Sequence, residues 1–298
     1  MRNAFIKTLV ECARVNDSIF FISGDVGYSV VEPFAEQFPD RFLNIGIAEQ
    51  NMTGVAVGLA KEGYNVFTYS IGNFPTLRCL EQIRYDVCYH NASVKIVSVG
   101  GGFAYGPLGA SHHCTEDIGI LRTIPNMVVS APGDPLETSA IVRWMCNVPG
   151  PGYLRLNKGG DRVIGEMGTI LVPGAPREVR AGRDLAVIAS GAILEYSEGA
   201  IDTLLPGAAL YSMPVISPID ALRVVQLARQ FERIITIEEH QLNCGMGSAI
   251  VEVVSDAYAE GILNRVPCIK RIAIPNRFTS VAGTQAYLRQ MNGLILQP

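Results

Sequence analysis

Short apolar, β-branched runs alternate with segments of helical periodicity along almost the whole chain, and that rhythm confines it to one fold class. The runs are "IFFIS" at 19–23, "NVFTYS" at 65–70, "VKIVSV" at 94–99, "MVVSA" at 127–131, "LAVIAS" at 185–190, "ALYSM" at 209–213 and "RIITIEE" at 233–239. Between them lie helical segments at 2–15, 47–62, 76–90, 134–147, 194–205, 219–230 and 246–260. Strands that are apolar on both faces need helices on both sides, so the pattern predicts an α/β protein with doubly wound, largely parallel sheets. At 298 residues the chain is long enough for two such domains. The rhythm breaks between Pro149 and Asp184, where Gly, Pro and mixed charge crowd together. This predicts a first domain at 1–165, a linker at 166–182 and a second domain at 183–298.

The balance of residues removes several function classes. Net charge is −4 and no basic cluster occurs, so the electrostatic footprint for nucleic acid is missing. No apolar run reaches the roughly 18 residues of a membrane helix. Lys7, Glu11 and Arg14 interrupt any signal-peptide block. The seven cysteines, odd in number and without a CxxC pair, read as reduced thiols of a cytoplasmic protein. No GxGxxG follows the first strand, which disfavours a dinucleotide-binding oxidoreductase.

Within "RFLNIGIAEQNMTGVAVGLAKEG", Arg41 to Gly63, the only charged residue between Arg41 and Lys61 is Glu49. Ala48, Met52, Val55, Ala56 and Leu59 form the stripe of a helix packed on one face, and Glu49 falls in its first turn at the border of that stripe. Two readings are open. A first-turn carboxylate complements the helix dipole and satisfies free amides. Alternatively, because Thr53 to Gly58 leave hardly any polar face, the helix is buried and the acid is poised for proton chemistry or a strong bond to a ligand.

The segment "NIGIAEQNMTGVAVGLAKEG" resembles the part of the transketolase family of thiamine-diphosphate enzymes that carries the cofactor-activating glutamate. In that family the glutamate bonds the pyrimidine N1′ and promotes the imino tautomer, and Glu49 matches it. The resemblance covers nearly the whole chain, as a pyrimidine-binding domain followed by the family's C-terminal domain. It places Asp25 after the first strand as a cofactor-binding residue and implies an aromatic residue stacked on the pyrimidine ring, Phe74 or, as the alternative, Tyr69. It assigns His112 or His113, in "GPLGASHHCTED", to the hydroxyls and oxyanion of the substrate, and Arg155, in "PGYLRLNKGG", to a substrate phosphate. As a metal site the histidine pair is weak, since adjacent side chains point apart and nothing completes a tetrahedral set.

Two departures from the family pattern carry consequences. The "GDG…N" motif that holds Mg²⁺ and the diphosphate is missing, which implies a split enzyme whose partner, an N-terminal diphosphate-binding subunit, supplies Mg²⁺, with two copies of each chain. In "GGGFAYGPLGASH" the upstream phosphate-contacting histidine has no counterpart and Tyr105, taken as a substrate-binding residue, stands where the family has Asp, which leaves room for a sugar or sugar-phosphate donor or acceptor other than a common pentose phosphate. The leading reading is transfer of a two-carbon ketol unit. Its rivals are a decarboxylating relative, of the deoxyxylulose-phosphate-synthase or 2-oxo-acid dehydrogenase β type, and a non-catalytic assembly subunit.

Overall fold

The computed structural model describes residues 1–165 and 171–297. In the first half the strands are β1 (Ile19–Ser23), β2 (Phe42–Asn44), β3 (Asn65–Ile71), β4 (Val94–Val99), β5 (Val128–Ser130) and β6 (Gly152–Leu156). In the second they are β7 (Arg177–Arg180), β8 (Ala186–Ser190), β9 (Ala209–Ser212), β10 (Val215–Ser217), β11 (Arg233–Gln241) and β12 (Cys268–Ile274). They build a seven-stranded sheet in the order β10-β5-β6-β4-β3-β1-β2 and a five-stranded sheet in the order β12-β11-β8-β9-β7. Every pairing is parallel except β10 on β5 and β7 on β9, so the expected α/β class with largely parallel sheets is what forms.

The helices are α1 (Arg2–Ala13), α2 (Glu32–Gln37), α3 (Glu49–Lys61), a single α-helical turn α4 (Leu80–Gln82), α5 (Asp117–Arg122), α6 (Pro135–Asn147), α7 (Ile193–Leu204), α8 (Ala221–Gln230), α9 (Met246–Ala259) and α10 (Gln285–Met291). They cover both faces of the sheets, as two-period strands require. On β3, Phe67 and Tyr69 enter one core with Phe5 and Leu9 of α1, Phe34 of α2 and Ile141 of α6. Val66, on the other face, enters a core with Met52 and Ala56 of α3. That second core runs without a break through Ile96 and Tyr153 into β8, β9, α8 and α9, so the two sheets share one apolar seam. Each large side chain in it contributes about 1.5–3 kcal/mol by leaving water. Helix starts follow the local chemistry: Asp134 accepts from the Glu137 amide at 2.7 Å ahead of α6, and Asp220 from the Arg223 amide at 3.1 Å ahead of α8.

The structure corrects four expectations. The stretch read as one helix over 76–90 is a 3₁₀ turn at Leu77–Cys79, then α4, then a π-helical segment at Ile83–Tyr89. The linker expected at 166–182 contains β7, which closes the edge of the second sheet. Residues 166–170 of that linker lie outside the described residues. Strand β10, from the second half of the sequence, completes the first sheet by pairing with β5. Helix α3 is not enclosed all round: Gln50, Asn51, Gly54 and Gly58 are exposed along one side. Among the described residues no helix is long and apolar enough to cross a membrane.

Candidate active site

Parallel α/β sheets bind ligands beyond the carboxyl ends of their strands. In the first sheet these ends lead into Asp25 after β1, Phe74 after β3, Tyr105 and the histidine pair after β4, and Lys158 after β6. The expected site residues therefore converge on one edge by topology. Their side chains do not all turn toward it.

Glu49 is the first residue of α3 and is 3% exposed. Its helix has Ala48 at the N-cap and no side-chain cap. The carboxylate ignores the free amides: Oε2 accepts from Arg78 Nη1 at 2.9 Å, and Oε1 from Ser70 Oγ at a long 3.4 Å. The dipole-capping reading of this acid therefore does not describe its contacts. A carboxylate this buried is expensive to leave unpaired, yet its one firm partner among the described residues, Arg78, has a side chain 49% exposed.

Phe74 lies half-buried beside it. The Arg78 guanidinium sits 4.9 Å from the Phe74 ring centroid, and the His112 ring meets Phe74 edge-on at 5.3 Å. His112 in turn is 6.3 Å from the Tyr105 ring, over which Lys158 Nζ lies at 5.3 Å. Tyr105 can fold down here because Gly100, at φ +97°, has no Cβ to strike its ring. Asn73 Nδ2 donates to the His113 carbonyl at 2.7 Å and ties the loop after β3 to the loop after β4. A continuous rim results: Glu49, Arg78, Phe74, His112, Tyr105 and Lys158. A cleft of about 490 Å³, lined by Asn73, Leu77, Ala110 and Thr115 among others, adjoins it.

Four expected residues sit differently. His113 is 5% exposed, packs edge-on against Phe103 and places Nε2 3.4 Å from the Gly106 carbonyl, yet it lines the adjoining cleft, whereas His112 stands on the rim. Tyr69, the alternative stacking residue, is fully buried on the opposite face of the sheet, stacked on Phe5 at 5.8 Å. Alternation along β3 sends Ser70 toward Glu49 and Tyr69 away from it. Asp25 is exposed, in the left-handed region at φ 58°, and exchanges bonds with Asn44 at 2.9 Å and 3.1 Å.

Arg155 is the largest correction. It does not line the cleft beside the rim; it is 5% exposed in a small crevice with Ser190 and Glu239, with Nε 2.9 Å from Asp117 Oδ2. Its Nη2 donates to the Cys114 carbonyl and, at 2.9 Å, to the Glu239 carbonyl. Even a Cβ on Gly101 would come within 2.6 Å of its Nε. The guanidinium is a tie between the two sheets. The exposed cation at the end of the same strand is Lys158.

Sequence reasoning missed Ser70, Asn73, Arg78 and Lys158. Ser70 was readable from strand parity, and Arg78 from its four-residue spacing after Phe74 at the opening of a helical stretch. An aminopyrimidine ring needs a flat apolar shelf with a buried carboxylate at its edge. A flat nitrogen-bearing group, the Arg78 guanidinium, contacts both Phe74 and Glu49, so these residues fit the pyrimidine half of thiamine diphosphate. Among the described residues no cluster of three or more His, Cys, Asp or Glu is placed to hold a metal ion.

Residues 1–160 match the family "Transketolase, pyrimidine binding domain" and residues 174–292 match "Transketolase, C-terminal domain". The chain is similar to a subunit of the apulose-4-phosphate transketolase of Actinobacillus succinogenes, 32% identical with 99% of this chain and 94% of that protein covered. It is also similar to the corresponding apulose-4-phosphate transketolase chain of Phocaeicola vulgatus, at 35% identity over 92% of this chain and 87% of that one. Among solved structures, "Split gene transketolase, inactive beta4 tetramer" superposes with a TM-score of 0.86 at 32% identity, covering 99% of this chain and 93% of the other. With both halves matched and relatives covered nearly end to end, the chain belongs to the transketolase family.

Proposed function

We propose that the chain is one subunit of a split, thiamine-diphosphate-dependent transketolase that moves a two-carbon ketol unit from a ketose to an aldose. The observation that carries this reading is Glu49, a buried carboxylate that leaves its own helix uncapped and shares the Arg78 guanidinium with the Phe74 ring. The relatives described as single subunits of a transketolase, and the split-gene transketolase whose β4 tetramer is described as inactive, support a chain that works only with a second subunit. That partner supplies the diphosphate and Mg²⁺ sites, in an assembly with two copies of each chain.

Thiamine diphosphate, when bound, supplies the carbon nucleophile that cleaves the ketose and carries its two-carbon fragment. The chain's own residues do the rest on their side of the interface. Phe74 gives the aminopyrimidine its stacking surface, and Glu49 holds a proton against the ring nitrogen N1′. His112 handles hydroxyl and oxyanion protons of the sugar, a task for which an imidazole is suited near neutral pH. Tyr105 shapes the outer rim, and Lys158 offers a point charge to an anionic sugar substituent, the role that the enclosed Arg155 cannot take.

The test is reconstitution with a second chain bearing a "GDG…N" diphosphate domain, in the presence of Mg²⁺ and thiamine diphosphate. Ketol transfer from a ketose phosphate to an aldehyde should appear only when both chains are present. Turnover by this chain alone, or carbon dioxide release from pyruvate in place of transfer, would overturn the assignment.

A further inference from the structure

Arg78 belongs neither to the helix stripe nor to any core, yet it makes the two contacts that define the pyrimidine shelf. Its guanidinium lies 4.9 Å from the Phe74 centroid, and its Nη1 donates to Glu49 Oε2 at 2.9 Å. These are the two surfaces, one stacking and one hydrogen-bonding, that the reading above assigns to the cofactor's aminopyrimidine. A guanidinium is flat, delocalised and weakly hydrated, and it stacks on aromatic faces as readily as it pairs with a carboxylate.

We infer that Arg78 is a built-in plug, which occupies the aminopyrimidine's place between Phe74 and Glu49 until the cofactor displaces it. The inference rests on the proposed function, since it takes Glu49 and Phe74 as the cofactor's contacts. Its physical basis is the cost of a bare buried acid: among the described residues Glu49 has, besides Arg78, a 3.4 Å bond from Ser70, so a chain waiting for cofactor and partner needs a provisional cation there. The plug is also free to leave. Its side chain is 49% exposed, whereas its backbone is held, the Arg78 carbonyl accepting from Gln50 Nε2 at 3.1 Å. Side-chain rotation about an anchored backbone is enough to clear the shelf.

A plug opposes cofactor binding, whereas a residue that helps grip the cofactor favours it, and calorimetry on the assembled two-chain enzyme separates the two. Arg78→Ala and Arg78→Gln should each bind thiamine diphosphate, titrated at saturating Mg²⁺, with a Kd roughly tenfold lower than wild type, equivalent to about 1.4 kcal/mol. Assembly by size-exclusion and the melting temperature serve as controls. A crystal of the wild-type assembly with thiamine diphosphate should have the Arg78 guanidinium swung off the Phe74 ring. An unchanged or raised Kd in both variants, or a cofactor-bound crystal with Arg78 still on Phe74, overturns the plug. Failure of the underlying reading is visible separately: in that case Glu49→Gln leaves the Kd and turnover of the assembly at wild-type levels, whatever Arg78 does.

Discussion

Glu49 heads a helix whose amides it does not touch, and the residues around it divide by which way their side chains are sent. Strand parity sends Ser70 to the acid and Tyr69 away, leaving Phe74 as the aromatic residue that shares Arg78 with the acid and as the proposed shelf. Phe74→Ala should raise the Kd for thiamine diphosphate in the assembled enzyme about three- to tenfold, the worth of an aromatic pair of ~0.5–1.5 kcal/mol, with Phe74→Tyr close to wild type by the same titration. The histidine pair separates by burial. His112→Asn should lower kcat/KM by about 10² with the melting temperature unchanged, whereas His113→Asn, in a core against Phe103, should show its effect first in thermal unfolding. Glu49 stands out in the sequence as a lone acid in an apolar turn and Phe74 as an aromatic residue at a loop end, and the roles proposed for them come from the family resemblance. The choice between His112 and His113 was not, since adjacent loop residues point according to packing that lies elsewhere in the chain.

At the scale of elements, the strands legible in the sequence are those whose apolar runs span four or more residues, and the missed ones are short or polar. Phe42–Asn44, Arg177–Arg180 and Val215–Ser217 are too brief for a period to register, and Cys268–Ile274 carries Lys270 and Arg271 as an edge strand does. The segment over 77–89 was legible as helical but not as mixed 3₁₀, α and π, because its apolar residues suit any of the three. Its π-helical part buries Cys88, whose thiol burial pushes up to about 12 from an ordinary value near 9. The folded pKa is the raised one, so the unfolded chain releases this proton first as pH climbs. The associated stability is fully present below pH 9 and is lost between about 9 and 12. The stability gap between wild type and Cys88→Ala should therefore be widest below pH 9 and narrow at up to about 1.4 kcal/mol per pH unit above it, as read by urea unfolding at stepped pH.

Across the whole molecule the two sheets are locked by one apolar seam, by β10 crossing into the first sheet, and by Arg155, which joins Asp117 of α5 to the Glu239 carbonyl of β11. The two-domain α/β plan was legible from the alternation of runs. These ties were not, because a buried arginine and a loop-end arginine read alike in sequence. Asp117 also accepts from the Tyr153 hydroxyl, so Asp117→Ala strands a guanidinium and a phenol together and should cost about 3–5 kcal/mol in urea denaturation, with little relief at high salt. The central claim is that this chain brings the activating acid to a site completed by a partner. Its most direct measurement is the ketol-transfer rate of the reconstituted assembly carrying Glu49→Gln, an exchange of one oxygen for a nitrogen at a buried position. The account predicts a fall of at least about 10² in kcat, with the two chains still co-eluting at the wild-type ratio. Wild-type turnover from that variant assembly would contradict it.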